Sequence, residues 1–238
     1  SEWGAIGGPF QYGDKYAHSA IVSSKETIQS EGPWGVSDKV FNYTVFYTGS
    51  LSKYILRKVP YDFEYADIQA GIGTPHAVFA EFTADETLLV RAEAQALLGH
   101  YTEALNDLNT ELAAFSKTGV QLTLDDVKKF YSDDVTAYYT PEKPTPRKAF
   151  HTTFAIDKDT EEPMLQCILH LRRIMTVHEG LRMQDVKRYG ITIYRRDVKS
   201  NYKITGITDT MEARDPRLAI QLPQDVITAG VTPNPRNK

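Results

Sequence analysis

Acidic and basic side chains alternate between residues 179 and 188, at a spacing that could support acid/base catalysis. Glu179, Arg182, Asp185 and Arg188 follow one another at intervals of three, which places successive opposite charges on one helical face. As catalytic residues, Glu179 and Asp185 would form an acid/base pair. The adjacent arginines would keep both carboxylates ionised, which suits a structural ion-pair network that locks two helices better than a general acid. We therefore expect this series to be structural, the chain to have no catalytic residues, and the protein not to be an enzyme.

The histidine and cysteine content does not favour a metal site. His178 and Glu179 begin like the motif of a zinc protease, but position 182 is Arg where the second histidine would stand. His170 and His178 are eight residues apart in the sequence, which is about 12 Å along a helix and too far for one ion. Cys167 is the single cysteine, so a disulfide within the chain is excluded. We expect no metal and no cofactor.

Aromatic side chains on loop-like segments are candidates for binding a sugar ring. A sugar packs its flat C–H surface on an aromatic face, and planar polar side chains bind its hydroxyl groups. The sequence contains 14 tyrosines and 2 tryptophans, many of which we expect in the core. Trp34, Tyr138 and Tyr139 are the best loop-borne candidates, with Trp3 behind them. The formal net charge of −4 argues against a nucleic-acid partner.

A pair of helices is the strongest local signal among the elements that must position these residues. Thr83 and Glu86 form a capping-box pattern, and the helix that follows runs to Gly99. A second helix, with one apolar face, is predicted from Tyr101 until Gly119 ends it. The pair resembles a tetratricopeptide-type unit. Because such repeats need roughly three units to bury a continuous core, we expect the remaining repeats to lie outside this chain.

Further helices are predicted after this pair. Thr123 and Asp126 predict a helix start, with the helix running to about Tyr131. Residues 132–163 are rich in proline and aromatic residues and are predicted to form a long irregular connection. A helix is predicted from Met164, with an interruption at Gly180 and a shorter helix up to Tyr189-Gly190.

Extended segments are predicted on both sides of the helical region. Alternating residues in 40–47 and the segment 53–59 predict short strands. Residues 191–194 and 202–207 are predicted to form a hairpin around a polar loop. The tail from Asp215 contains four prolines and is predicted to be extended rather than helical. No run approaches the ~18 apolar residues of a transmembrane helix.

Three ordered segments resemble the SusD/RagB family of nutrient-binding outer-membrane lipoproteins. The first is residues 88–94 with the helix pair that follows, which looks like the last tetratricopeptide-type unit of the family. The second is residues 171–190, similar to the arginine-rich helix, Glu-Gly turn and Arg-Tyr-Gly ending of the family. The third is residues 214–235, which resembles the C-terminal segment. Order and spacing agree over roughly residues 50–238.

The resemblance implies a mainly α-helical, SusD-like fold with a tetratricopeptide-type helix pair and an irregular C-terminal region with short β-hairpins. Residues 1–238 would then be the C-terminal portion of a longer protein. Its parts would be a loop-rich lead-in (1–80), the paired helices (81–131), a long loop (132–163), and the signature helices with a C-terminal wrap (164–238).

The resemblance also implies a function. Family members capture an oligosaccharide or another nutrient at the outer-membrane surface, without catalysis, and deliver it to a SusC-like TonB-dependent transporter. The membrane tether would be a lipid at an N-terminus that lies outside this chain, since Cys167 does not match the lipid-bearing cysteine. The alternative left open by the residues is a tetratricopeptide-type protein–protein scaffold without a small ligand.

Overall fold

In a computed structural model, the chain forms a helix-rich fold with short antiparallel β-hairpins. The structure describes residues 27, 29–42, 45–48, 53–56, 62–76, 82–117, 119–176, 180–198 and 204–236. The helices are α1 (Ser37–Val40), α2 (Ala84–Leu97), α3 (Tyr101–Phe115), α4 (Leu124–Phe130), α5 (Glu161–Met175), α6 (Arg182–Tyr189) and α7 (Gln224–Thr228). The strands are β1 (Glu31–Gly32), β2 (Gly35–Val36), β3 (Val45–Thr48), β4 (Lys53–Leu56), β5 (Asp62–Asp67), β6 (Ile72–His76), β7 (Ile193–Val198) and β8 (Ile204–Met211). Each odd-numbered strand pairs antiparallel with the next one. Within the described ranges, every helix is too short or too polar to cross a bilayer.

Helices α2 and α3 pack side by side, as the sequence predicts. The Thr83 side chain caps α2 by accepting a hydrogen bond from the Glu86 amide at 3.3 Å. The small Ala92 and Ala96 on α2 are fully buried, which allows α3 to approach closely. Gly99 has a φ of +77° in the turn between the helices, a conformation that glycine adopts without strain.

The end of α3 differs from the prediction. Gly119 was expected to end this helix, but α3 ends at Phe115. The reason is a tertiary contact: Phe41 forms an isolated antiparallel bridge with Ser116, and the Asn42 amide donates to the Phe115 carbonyl at 2.6 Å. Backbone pairing with a distant segment therefore replaces the last predicted turn.

Helix α5 is the central element of the core. Thirteen of its fifteen residues are buried, and it packs against α2, α3 and α4. The sequence predicts one apolar face with Ile168, Leu171 and Met175, all of which are buried. The structure also buries the polar side chains of the opposite face. Cys167 is also buried.

The C-terminal region contains more regular structure than the sequence predicts. Strand β7 includes Arg195 to Val198, which were expected in a loop and instead pair with residues 204–209 of β8. The tail was predicted to be extended, but it forms a 3₁₀ turn at Pro216–Leu218 and the short helix α7. The Asp215 side chain caps the 3₁₀ turn through the Arg217 amide at 2.9 Å, and Pro223 precedes α7, where its fixed φ suits a helix start.

Candidate functional site

Arg172 lies at the centre of a buried ion-pair cluster that joins three helices. From α5, its Nη2 donates to Glu93 Oε2 on α2 at 2.6 Å and its Nη1 donates to Asp185 Oδ1 on α6 at 2.8 Å. Nη2 also reaches the Leu89 carbonyl at 3.1 Å. All three charged side chains are at least 90% buried. We call this set, with the residues that extend it from α6, the three-helix junction.

Three residues of α6 extend the junction. Arg182 Nη1 lies 3.3 Å from Asp185 Oδ2, and Arg188 Nε lies 3.0 Å from Glu93 Oε1. The Tyr189 hydroxyl donates to the same Glu93 oxygen at 2.6 Å. Burial, and then the Glu93 charge, raise the pKa of Tyr189 well above its ordinary value, so this hydroxyl stays protonated and remains a donor. Each carboxylate therefore contacts more than one donor.

The sequence-predicted ion-pair residues are placed as follows. Arg182, Asp185 and Arg188 all join the three-helix junction, whereas Glu179 lies outside the described residues. Sequence reasoning missed the partner Glu93. Its signal was present, because a charged residue on the buried face of an alanine-rich helix requires an ionic partner.

Trp34 does not lie on a binding surface, which corrects the expectation that its ring would contact a sugar. Only 4% of Trp34 is exposed, and its ring centroid lies 5.4 Å from that of Phe41 and 5.0 Å from that of His170. Its Nε1 donates to the Ser37 hydroxyl at 2.9 Å. The indole is therefore a satisfied core side chain. Trp3, the other tryptophan candidate, lies outside the described residues.

His170 is a buried histidine that joins separate parts of the chain. Its Nδ1 lies 3.0 Å from the Tyr131 hydroxyl, and its Nε2 lies 2.7 Å from the Ser30 hydroxyl. Burial lowers the pKa of His170 well below its ordinary value, and the positive charges of Arg173 and Lys148, with that of Arg182, lower it further. Both ring nitrogens have hydroxyl partners, so the neutral ring is well accommodated. In the described residues, no three His, Cys, Asp or Glu side chains are grouped to hold a metal ion.

Tyr138 lies on the long loop between α4 and α5 and is fixed by polar partners. Its hydroxyl donates to Glu162 on α5, and the Arg147 guanidinium lies over its ring, 3.8 Å from the centroid. Arg147 is held in turn by Asp133 at 2.6 Å. Burial and the Glu162 hydrogen bond raise the pKa of Tyr138, so the hydroxyl is a donor at neutral pH. The ring is half-buried.

Tyr139, the next residue, stacks on Tyr194 of β7. Their ring centroids lie 5.4 Å apart with an interplanar angle of 30°. Lys148 Nζ lies 3.4 Å from the Tyr139 centroid, and the Arg196 guanidinium carbon lies 4.8 Å from it. Both tyrosines are half-buried. We call Tyr138, Tyr139 and Tyr194 the tyrosine platform.

Helix α5 holds the loop that carries the platform. The Gln166 side chain accepts from the Lys148 amide at 2.9 Å and donates back to the Lys148 carbonyl, while the Tyr139 amide donates to the Arg147 carbonyl at 2.8 Å. The sequence singled out Tyr138 and Tyr139 as candidates but not Tyr194, which stacks on Tyr139. Because the loop and β7 are far apart in the sequence, nothing in the local pattern paired these two rings.

A narrow cleft lies beside Lys148, whose ammonium group is over the Tyr139 ring. Lys148, Phe150, Arg173 and Arg182 contribute to its lining, and its volume is about 10 Å³. This volume is sufficient for about one water molecule. A larger molecule would therefore not fit into the cleft.

Comparison with protein-family models, with curated proteins and with solved structures found no match to this chain.

Proposed function

We propose that this chain is the C-terminal portion of a SusD/RagB-like protein that binds an oligosaccharide or another nutrient without catalysis. The protein acts at the outer-membrane surface, tethered by an N-terminal lipid outside this chain, and delivers its ligand to a SusC-like TonB-dependent transporter. Two findings support the proposal. One is the set of three ordered segments that resemble the family. The other, which carries the ligand assignment, is the tyrosine platform.

The platform has the chemistry that a sugar ligand requires. Tyr139 and Tyr194 stack at 5.4 Å and are half-buried, so each retains some accessible aromatic surface. Aromatic faces pack on the C–H surface of a pyranose ring. The half-buried Arg196 lies beside the same ring and carries N–H donors of the kind that bind hydroxyl groups. The surface is shallow, which suits one stretch of a chain of sugars better than a small enclosed molecule.

The carboxylate groups of the three-helix junction are all paired with arginines, which supports a non-catalytic function. A glycoside hydrolase needs two carboxyl groups flanking a bond, one of them protonated. Glu93 and Asp185 instead each contact Arg172 and one further arginine. Their charges are used to join helices.

Calorimetric titration or a glycan array with oligosaccharides of defined length tests the proposal, with Tyr139→Ala as the diagnostic variant. We expect Tyr139→Ala to weaken binding by about 1 kcal/mol, or about fivefold, because it removes one stacking face. Tyr65→Ala is a matched control, because Tyr65 is an exposed tyrosine on the β5–β6 hairpin. Absence of carbohydrate binding by this chain and by its full-length parent would refute the ligand assignment, and equal weakening by both variants would remove the platform from it.

A further inference from the structure

The narrow cleft beside Lys148 is lined by three cationic side chains from three parts of the fold. Lys148 belongs to the long loop, Arg173 to α5, and Arg182 to α6. Among the residues that the structure describes, no Asp or Glu contributes to the lining. Apolar side chains complete the walls: Phe150, Leu169 and Ile191. Such walls lower the local dielectric constant, which strengthens the attraction between these cations and a negative charge.

Arg182 retains donors for a ligand in this cleft. Its guanidinium group has five N–H donors, and within the described residues its one hydrogen bond runs from Nη1 to Asp185 Oδ2 at 3.3 Å. Asp185 lies closer to Arg172, at 2.8 Å. Burial lowers the pKa of Arg182, and this effect exceeds the opposing effect of the shared Asp185. The carboxylate therefore compensates this cation only in part, which favours a further negative partner.

The electrostatic surroundings of His170 give independent support for a positive cleft. The His170 ring contributes to the lining. Burial lowers the pKa of His170, and the charges of Arg173, Lys148 and Arg182 lower it further. The ring is therefore a neutral wall of the cleft, and the charged groups that act on it are all positive. A negatively charged ligand is the kind that these surroundings favour.

The volume of the cleft limits the size of that ligand. About 10 Å³ is room for about one water molecule, so phosphate, sulfate or the carboxylate of a sugar is too large. A monatomic anion is close to a water molecule in size. Chloride combines this size with a single negative charge.

We infer that the cleft binds one chloride-sized monovalent anion between Arg173 and Arg182. The Lys148 ammonium donates to the Thr145 carbonyl at 2.5 Å, so Lys148 contributes its charge to the site and not a direct bond. The anion offsets the positive charge where the long loop, α5 and α6 meet, and it stabilises their contact. This binding is independent of the proposed sugar ligand.

Thermal unfolding in sodium chloride and in sodium gluconate at equal ionic strength tests the inference. The two salts screen charges alike, whereas gluconate is too large for the cleft. An anion that binds only the folded chain raises its stability as the anion concentration increases. We expect the difference in unfolding midpoint, chloride minus gluconate, to be larger in the wild type than in Arg173→Gln or Arg182→Gln. Circular dichroism checks that each variant keeps its helices.

Arg188→Gln is the matched control. Arg188 belongs to the same helix as Arg182 and also pairs with a carboxylate, Glu93, at 3.0 Å, but it does not line the cleft. This variant should keep the wild-type difference between the two salts. An equal difference in the wild type, Arg173→Gln and Arg182→Gln, or an equal loss in Arg188→Gln, would overturn the inference.

Chlorine NMR of the wild-type chain is a second measurement that depends on no variant. Binding should broaden the chloride signal, and added bromide should reverse the broadening by competing for the same site. A chloride signal that the protein leaves unchanged would mean that the cleft holds only water, and it would also overturn the inference.

Discussion

At the scale of single residues, Arg172 joins α5 to both α2 and α6 through charged hydrogen bonds. It lies between Glu93 and Asp185, and all three are almost fully removed from water. Transferring three charges from water to a protein interior is costly, and only close pairing offsets that cost. Arg172 therefore matters because it is the most buried cation of the junction, and without it Glu93 would keep only the more exposed Arg188 and Asp185 only the more exposed Arg182 as cationic partners.

Arg172→Met should destabilise the fold by about 3–5 kcal/mol, because it leaves two buried carboxylates facing each other without their shared cation. Urea unfolding followed by circular dichroism measures the change. Lys128→Met is a suitable control, because it removes a surface pair with Asp159, whose side chain is 79% exposed. A loss for Arg172→Met no larger than that of the control would contradict this account of the junction.

The sequence indicates part of this junction. The spacing of three between Arg182, Asp185 and Arg188 favours a helical face with ion pairs, and all three residues make such pairs. Spacing could not identify Glu93, because it is separated from Arg172 by 79 positions in the sequence and only tertiary packing joins them. Trp34 shows the opposite difficulty. Its glycine-rich surroundings favour an exposed loop, while the ring is buried by α5.

At the scale of elements, Gly190 determines how α6 ends. It has a φ of +61°, and a side chain there would collide with the His151 backbone carbonyl. The same place is fixed by two hydrogen bonds, since the His151 amide donates to the Tyr189 carbonyl at 2.8 Å and the His151 Nδ1 lies 3.0 Å from the Gly190 carbonyl. The long loop is thereby attached to the end of α6.

Gly190→Ala should cost more than about 1 kcal/mol, because it combines an unfavourable φ with a collision against backbone. Gly99→Ala separates the two causes, since Gly99 has a similar φ of +77° and open space around it. Thermal unfolding of both variants provides the comparison. Equal losses would mean that the close approach to His151 has no energetic consequence.

The starts of α2 and α4, which have local caps, are predicted well from the sequence, whereas α5 begins at Glu161 instead of the predicted Met164. Thr123 and Asp126 form the complete capping box that their types and spacing predict, because both of its hydrogen bonds are local. The β5–β6 hairpin was not predicted. Its strands are short, and β6 contains Gly73 and Pro75, residues that usually weaken a strand. Its pairing depends on a register between strands that local preferences do not specify.

At the scale of the whole molecule, His170 connects three parts of the fold. It belongs to α5 and contacts Tyr131 at the end of α4 and Ser30 beside the first hairpin. The Trp34 ring packs on its face. The charged groups that influence it, Lys148, Arg173 and Arg182, are all positive. Protonation of the His170 ring is therefore disfavoured by the positive charges around it.

Stability should fall as the pH drops from 7 to 5. The folded pKa of His170 lies below its ordinary value of about 6.5, so the unfolded chain binds a proton in this window that the folded chain does not. The slope from this group is at most about 1.4 kcal/mol per pH unit. Urea midpoints measured across this range test the expectation.

The His170→Gln variant should show a weaker pH dependence of stability between pH 7 and 5. The His100→Gln variant, which changes an exposed histidine, should keep the pH dependence of the wild type. The carboxyl groups whose pKa values are lowered, Asp126, Asp157, Asp159 and Asp209, lose their stabilising charge only below this window. An unchanged slope in His170→Gln would show that the histidine does not protonate on unfolding in this range.

The shared use of Glu93 has a consequence for how the molecule assembles. One carboxylate accepts from Arg172 of α5 and from Arg188 and Tyr189 of α6. If α6 detached, Arg172 would lose Asp185, and Glu93 would lose two of its donors in the same event. A state in which only two of these helices are joined is therefore unfavourable, because it leaves charged groups of the junction without their partners. Helices α2, α5 and α6 should form and separate as one cooperative unit.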